Sequence, residues 1–235
     1  MATVVVLVSG GLKSAVAATR YSPDNEIILL HVDYGQPSAK AQRRALRSLV
    51  IGLPQARGVG VELPYVAGME RHVVPADDDS EGEIRIESGP SSAVTALGLR
   101  GLMPVLISVA AQHALRFGAH LVVTGLTDVD DTTSPLVSFA QGNPGRLREF
   151  IQTCNMMIET TVSQRTDLRV EAPLIDLTYT EVVKLGVRLE LPFEHTWSCE
   201  SRSPTPCSNC PSCHSRSEAF AGAATPDPLM VPATS

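Results

Sequence analysis

Residues 4 to 14 read Val-Val-Val-Leu-Val-Ser-Gly-Gly-Leu-Lys-Ser. The apolar, β-branched run Thr3–Val8 is typical of a strand covered on both faces, and Leu12–Arg20 has the pattern of a helix. Two glycines between a strand and a helix let backbone N–H groups approach an anion, and the helix N-terminus adds partial positive charge. The stretch therefore predicts a phosphate-binding turn, with an ordinary strand-to-helix turn as the alternative.

The same alternation of strands and helices continues along the chain. Further buried strands are predicted at Glu26–Val32, Val59–Leu63 and Leu121–Thr124. Helices are predicted at residues 38–50, Met103–Phe117, Arg148–Thr161 and Glu181–Leu189, the last behind a capping box at Thr178 and Glu181. Residues 68–100 and 129–147 are predicted to be loops. This pattern predicts an α/β fold, a Rossmann-like parallel sheet flanked by helices with right-handed crossovers.

Three polar segments follow predicted strands. They are Ser9–Gly11, Asp33–Gln36 and Gly125–Thr127. Ligands of parallel sheets bind beyond the carboxyl ends of the strands. We therefore expect the three segments to meet at one edge of the sheet and to form a ligand site.

The bulk composition excludes several classes of protein. The 235 residues carry a net charge of −6 and are 43% hydrophobic, which disfavours both disorder and binding to long nucleic acids. No stretch approaches the roughly 18 apolar residues of a membrane-spanning helix. The first apolar run is also too short for a signal peptide, so a cytoplasmic location without membrane association is expected.

Four of the five cysteines are clustered near the C-terminus. Cys199, Cys207, Cys210 and Cys213 have the spacing C-x7-C-x2-C-x2-C. In a reducing compartment this pattern predicts a closed, structural four-cysteine zinc site, with an iron–sulfur cluster as the minor alternative. Cys154 lies in an apolar helix and is predicted to be a core thiol. The predicted organisation is a nucleotide-binding α/β domain at 1–191, a zinc-binding region at 192–228 and a tail at 229–235.

The glycine turn resembles the Ser-Gly-Gly-x-Asp-Ser loop of the ATP pyrophosphatases, also called PP-loop enzymes. Within that group the chain is similar to the 7-cyano-7-deazaguanine synthase (QueC-like) family of queuosine biosynthesis. The resemblance rests on segments in the same order along nearly the whole chain: Ser9–Leu12, Val32–Gln36, Arg100, Pro173–Leu177, Glu181–Gly186, Thr196–Cys199, the three later cysteines, Arg216, Ala219–Ala221 and Pro226–Pro228.

The resemblance implies an enzyme that adenylates the carboxylate of 7-carboxy-7-deazaguanine with ATP and Mg²⁺ and converts it with ammonia to the amide and then the nitrile. It also implies a homodimer. The implied ATP-binding residues are Val8, Ser9, Gly10, Gly11, Leu12, Lys13, Ser14, Asp33, Tyr34, Gly125 and Thr127. Lys13, Ser14 and Arg100 are the implied catalytic residues, and Arg100 and Asp128 the implied substrate-binding residues. Asp128, Asp130 and Asp131 are candidates for holding Mg²⁺.

The chain departs from the family pattern at several positions. Lys13 replaces the loop aspartate, Tyr179 replaces a lysine, Gly101 replaces an asparagine, and residues 126–139 show little agreement. The charge change at Lys13 repels Mg²⁺ and attracts pyrophosphate, and we hypothesise that Lys13 and Tyr179 are a coupled exchange. Two alternative functions stay open: a paralogue that transfers the adenylated carboxylate to an amine on a protein or another molecule, and a nucleotide-binding pseudoenzyme.

Overall fold

The computed structural model describes residues 1–63, 71–73, 84–86, 102–128, 145–162 and 167–230. The strands in these ranges are β1 Ala2–Leu7, β2 Asn25–Asp33, β3 Ala56–Glu62, β4 Arg71–Val73, β5 Ile84–Ile86, β6 Leu121–Thr124 and β7 Arg169–Glu171. The helices are α1 Leu12–Tyr21, α2 Ala39–Gly52, α3 Leu102–Phe117, α4 Arg146–Thr161, α5 Tyr179–Arg188 and α6 Pro211–Gly222, with a 3₁₀ turn at Phe193–His195.

Five strands form one parallel sheet in the order β3-β2-β1-β6-β7. Strand β1 lies at the centre, with Val4 opposite both Ile27 of β2 and Leu121 of β6. The chain adds β2 and β3 on one side of β1 and then returns to add β6 and β7 on the other side. The strand order therefore reverses between β1 and β6, which is where parallel sheets bind ligands. The predicted parallel α/β fold is confirmed.

The sheet is covered by helices on both faces because its central strands β1, β2 and β6 carry runs of buried apolar residues. Val4 and Val6 of β1 face one core, which contains apolar side chains of α1, α2, α5 and α6. Val5 faces the other core, which is formed with α3 and α4. Phe193 and Phe220 of the C-terminal region belong to the first core, where their rings meet edge to face at 5.0 Å. The C-terminal region is thereby packed onto the helices of the sheet.

Several predicted boundaries shift, and some elements were not predicted. Strand β3 begins at Ala56, three residues early, and α4 and α5 each begin two residues early. The prediction of irregular structure over 68–100 is wrong at β4 and β5, which pair as a small antiparallel sheet. Strand β7 has a single buried residue, Val170, and so carries no periodic signal. Residues 129–144 lie outside the described residues, so the predicted loop there stays a prediction.

No helix in the described ranges has the length and apolar character needed to cross a bilayer.

The predicted capping box of α5 is confirmed, because the Thr178 hydroxyl accepts from the Glu181 N–H and the Glu181 carboxylate accepts from the Thr178 N–H. Cys154 is buried between α4 and the sheet, and burial raises its pKa to about 11. The prediction that Cys154 is a core thiol is confirmed.

Candidate active site

The turn between β1 and α1 requires glycine at position 10 and leaves the N-terminus of α1 without a side-chain cap. Gly10 has a φ of +77°, and a Cβ there would lie 2.9 Å from the backbone carbonyl oxygen of Gln42. Gly11 is the N-cap of α1 and has no side chain to accept hydrogen bonds from the first-turn N–H groups. The first turn also contains no acidic residue. This helix N-terminus therefore has the geometry of an anion site.

The carboxyl end of β6 packs directly against this turn. A Cβ at Gly125 would lie 2.6 Å from the backbone nitrogen of Ser14, so only glycine fits at this approach. Two residues on, the buried Thr127 hydroxyl accepts a hydrogen bond from Lys13 Nζ at 3.3 Å. The expected meeting of the segments after β1 and β6 is confirmed.

Lys13 and Tyr179, the two departures from the family pattern, are neighbours. The Lys13 ammonium lies 5.4 Å from the centre of the Tyr179 ring. The Tyr179 hydroxyl in turn lies 3.5 Å from the Ser198 hydroxyl. A cation over an aromatic face is stabilised by the ring quadrupole, so Tyr179 can hold a positive charge beside the turn.

The segment after β2 is joined to the turn through α2. Asp33 accepts from the Gly35 N–H at 3.0 Å and forms an ion pair with Arg43. The Tyr34 N–H donates to Gln36 at 2.9 Å, and Gln36 donates to Gln42, whose backbone meets Gly10. Burial, followed by the negative charge of Glu200, raises the pKa of the Tyr34 phenol to about 12. The three predicted segments therefore share one edge of the sheet.

His31 lies beneath the same turn and is fully buried. Its Nδ1–H donates to the carbonyl oxygen of Val8 at 3.0 Å. Nε2 is buried and makes no hydrogen bond to the described residues. Burial lowers the pKa of His31, which therefore supports the turn as a neutral imidazole near pH 7.

The two predicted substrate-binding residues have different outcomes. Asp128 follows β6, and its Oδ2 accepts from the Gly145 N–H at 2.7 Å. Its Oδ1 is buried and has no hydrogen-bond partner among the described residues. Arg100, also predicted to be catalytic, lies outside the described residues. Asp130 and Asp131 lie outside them as well, so a Mg²⁺ site at these three aspartates stays a prediction.

The four clustered cysteines form a candidate metal centre. The sulfur atoms of Cys199, Cys207, Cys210 and Cys213 all lie within 4.8 Å of one another. Tetrahedral zinc with four thiolates needs sulfur atoms about 3.8 Å apart, so the cluster fits the ion after a small contraction. Backbone N–H groups of Asn209 and Cys210 lower the pKa of Cys207 to about 6, whereas burial raises the pKa of Cys210 and Cys213. The cluster can hold a metal ion with no open coordination position.

The metal centre is connected to the glycine turn by Trp197. Its backbone N–H donates to the Gly10 carbonyl oxygen at 2.7 Å, and its indole N–H donates to the Cys199 carbonyl oxygen at 2.8 Å. Thr196–Cys199 is one of the segments that carry the family resemblance, but a role of Trp197 at the site was not predicted. The presence of Trp197 in this segment was the only sequence signal for its contact with Gly10.

Arg216 fixes the same segment from α6. The side chain is 1% exposed and donates twice to Asp227, at 2.7 and 2.9 Å. It also donates to the hydroxyls of Thr196 and Ser198, at 2.8 and 3.3 Å, and to the Phe193 carbonyl oxygen at 3.4 Å. All five guanidinium hydrogens are engaged, so α6 positions the residues on both sides of Trp197.

Comparison with known proteins gives a consistent result over nearly the whole chain. The model of the family described as "Queuosine biosynthesis protein QueC" matches residues 3–224. A protein of Nitratiruptor sp. named 7-cyano-7-deazaguanine synthase is 29% identical over 231 residues, covering 98% of this chain and 99% of the relative. A protein of Koribacter versatilis with the same name is 31% identical over 229 residues, covering 96% and 91%.

Proposed function

The chain belongs to the queuosine biosynthesis QueC family, and from this premise we propose that it is an ATP-dependent enzyme of the 7-cyano-7-deazaguanine synthase type. The observation that carries the proposal is the glycine turn at the strand-order reversal, with Gly125 packed against the first turn of α1. A phosphate chain bound there would receive hydrogen bonds from backbone N–H groups, which stabilise the charge on departing pyrophosphate.

The proposed reaction has three steps. A carboxylate oxygen of 7-carboxy-7-deazaguanine attacks the α-phosphorus of ATP and releases pyrophosphate, which gives an acyl-adenylate. Ammonia then attacks the acyl carbon, AMP leaves, and the primary amide forms. Adenylation of the amide oxygen by a second ATP and loss of AMP with two protons from nitrogen give the nitrile. Activation is needed because a carboxylate is a poor electrophile without a good leaving group.

In this proposal the residues of the turn and its neighbours have distinct tasks. Gly10, Gly11 and the α1 N-terminus bind the phosphates, and Ser9 and Ser14 supply hydroxyl groups. Asp33 and Tyr34 lie beside the adenosine, while Gly125 and Thr127 border the phosphates. Mg²⁺, if bound, would neutralise triphosphate charge, and the buried Oδ1 of Asp128 fits a cation ligand. The four cysteines hold a structural zinc ion.

Lys13 and Tyr179 are proposed to work as a pair at the phosphates. The ammonium attracts departing pyrophosphate at the place where the family has an aspartate, and Tyr179 supports it from the side. At about 4 Å and an effective dielectric of 20, the attraction between one cation and one anion is worth roughly 4 kcal/mol. Reversing the charge at position 13 turns that attraction into a repulsion. Lys13→Asp alone should therefore lower turnover, and adding Tyr179→Lys should recover part of the loss.

The test is release of pyrophosphate from ATP that depends on 7-carboxy-7-deazaguanine, with products identified by mass spectrometry. We expect release in the native protein, nitrile in the presence of ammonia, and a loss of at least about tenfold in Lys13→Asp. Lys184→Asp, an equal charge reversal on the exposed face of α5, is the matched control.

Each alternative gives a different outcome in the same assay. One outcome is substrate-dependent pyrophosphate release without nitrile, with the deazaguanine attached to an added amine or protein. This result would mean that the acceptor is that amine and not ammonia. Nucleotide binding with no pyrophosphate release would contradict the enzyme and leave a pseudoenzyme. Higher activity in Lys13→Asp alone would contradict the pairing of Lys13 with Tyr179.

A further inference from the structure

A cavity whose lining contains no residue of the glycine turn lies beside the start of α2. It has a volume of about 310 Å³ and separates the start of α2 from the loop that follows Cys199. Its polar walls consist of Ser38, Lys40 and Arg44 on α2 and Ser201, Arg202 and Ser203 on the loop. No acidic side chain is among its lining residues in the described part of the chain.

The cavity is lined by none of the residues that form the glycine turn or meet Gly10. The backbone of Gln42 and the side chain of Ala45 meet Gly10. Lys40 and Arg44 are each two residues from Gln42, which places them about 200° around the helix from it. An anion held between these two cations therefore lies apart from an anion held at Gly10.

Three cationic side chains, all of them exposed, line this cavity, and no carboxylate among the described residues lines it with them. Lys40 and Arg44 are i, i+4 neighbours, an arrangement in which like charges repel, and Arg202 adds a third charge from the facing loop. Lys40 also lies in the first turn of α2, where the helix dipole disfavours a cation. Within the described residues none of the three forms an ion pair, whereas the adjacent Arg43 pairs with Asp33.

The facing wall of the cavity is held in place by the metal-centre loop. The Ser201 N–H and hydroxyl lie 3.5 and 3.1 Å from the sulfur of Cys199, and the Ser203 N–H donates to the Ser201 hydroxyl at 3.3 Å. On the other wall, Ser38 is buried and its hydroxyl oxygen accepts from Gln42 at 2.9 Å. The Ser38 hydroxyl proton stays available for an anion. The serines of both walls are therefore held in place by contacts within the protein.

We propose that this cavity binds the phosphate or diphosphate group of a small phosphorylated compound. Two guanidinium groups and one ammonium that line one cavity from two elements match a compact group with several anionic oxygens better than a single carboxylate. The chain's net charge of −6 makes extended contact with a nucleic acid backbone unfavourable. This site does not depend on the proposed function of the glycine turn.

The test is protection of single arginines from phenylglyoxal, followed by peptide mass spectrometry on the zinc-loaded full chain. Pyrophosphate, inorganic phosphate and ADP are compared at equal ionic strength set with potassium chloride. We expect at least one of them to slow modification of both Arg44 and Arg202 by about tenfold at saturation, as expected for charge-assisted hydrogen bonds. The exposed Arg47 of the same helix and Arg188 of α5 serve as internal controls and should react at unchanged rates.

A variant tests the third cation. Lys40→Gln should raise the half-protecting pyrophosphate concentration by about tenfold, whereas Lys184→Gln should leave it unchanged. The order of potency identifies the source of the phosphate, because a nucleotide site favours ADP and a free diphosphate site favours pyrophosphate. Equal reaction rates of Arg44 and Arg202 with and without all three compounds would overturn the proposal. Equal protection of Arg47 would do so too, because it would indicate general screening.

Discussion

The buried ion pair between Arg216 and Asp227 offers the sharpest test of how the C-terminal region is held. The two side chains are 1% and 5% exposed, and the Nε–Oδ2 distance is 2.7 Å. A second pair, Arg57 with Glu26, has the same 2.7 Å separation but is 58% and 38% exposed. The shortest N–O distance and the charge type are therefore matched, and the two pairs differ in burial and in the second hydrogen bond that Arg216 donates to Asp227.

Asp227→Asn removes one charge and turns one acceptor into a donor that faces the guanidinium. Because Arg216 then stays buried and incompletely paired, we expect a loss of about 3–5 kcal/mol in the free energy of unfolding. Glu26→Gln at the exposed pair should cost less than about 1 kcal/mol. For a chain of this length, a loss of 3–5 kcal/mol corresponds to a decrease of roughly 6–20 °C in Tm.

The assay is thermal unfolding of both variants with zinc in excess, after zinc content has been measured. Equal zinc content separates loss of the ion pair from loss of the metal. A Tm for Asp227→Asn that lies as close to the native value as that of Glu26→Gln would refute the reasoning, because burial would then have no effect on the strength of the pair.

Three further predictions concern the turn and its supports. Gly125→Ala should lose about 1–3 kcal/mol in urea unfolding because its Cβ meets the Ser14 backbone, whereas Gly60→Ala, with no atom within 4 Å, should be nearly neutral. The lowered pKa of His31 means that the unfolded state binds the proton first, so stability should fall as pH decreases below about 6.5. His31→Asn, which keeps a donor, should flatten that dependence. Chelation of the metal should lower the unfolding midpoint and change the fluorescence of Trp197, the single tryptophan, and added zinc should reverse both.

Sequence alone predicted the features that depend on local chemistry. The strand at Leu121–Thr124 is predicted to the residue because a short apolar, β-branched run between Gly118 and Gly125 is too short for a helix. The capping box from Thr178 to Glu181 is a four-residue signature that needs no tertiary information. The meeting of the segments after β1 and β6 follows from a general property of parallel sheets.

The features that sequence did not predict are contacts between distant residues. Trp197 donates to Gly10 across almost the whole chain, and no local pattern encodes that pairing. Arg216 was expected only as part of a resemblance, since a lone arginine on a helix is usually solvated. Its burial becomes intelligible only when Asp227, Thr196 and Ser198 are seen around it. Such side-chain networks depend on the packing of α6 against α5, and therefore on the completed fold.

The distance between Lys13 and Tyr179 explains why the two departures from the family pattern occur together. A lysine at position 179 with its ammonium at the present ring centre would lie 5.4 Å from the ammonium of Lys13. At an effective dielectric of 20, two like charges at that separation repel by about 3 kcal/mol. A tyrosine ring at the same place attracts the Lys13 cation by about 0.5–1 kcal/mol instead. Lysine at 13 therefore disfavours lysine at 179. The effects of Lys13→Asp and Tyr179→Lys should be strongly non-additive. Each substitution alone leaves one residue of the present pair beside one residue of the Asp–Lys pair of the family pattern.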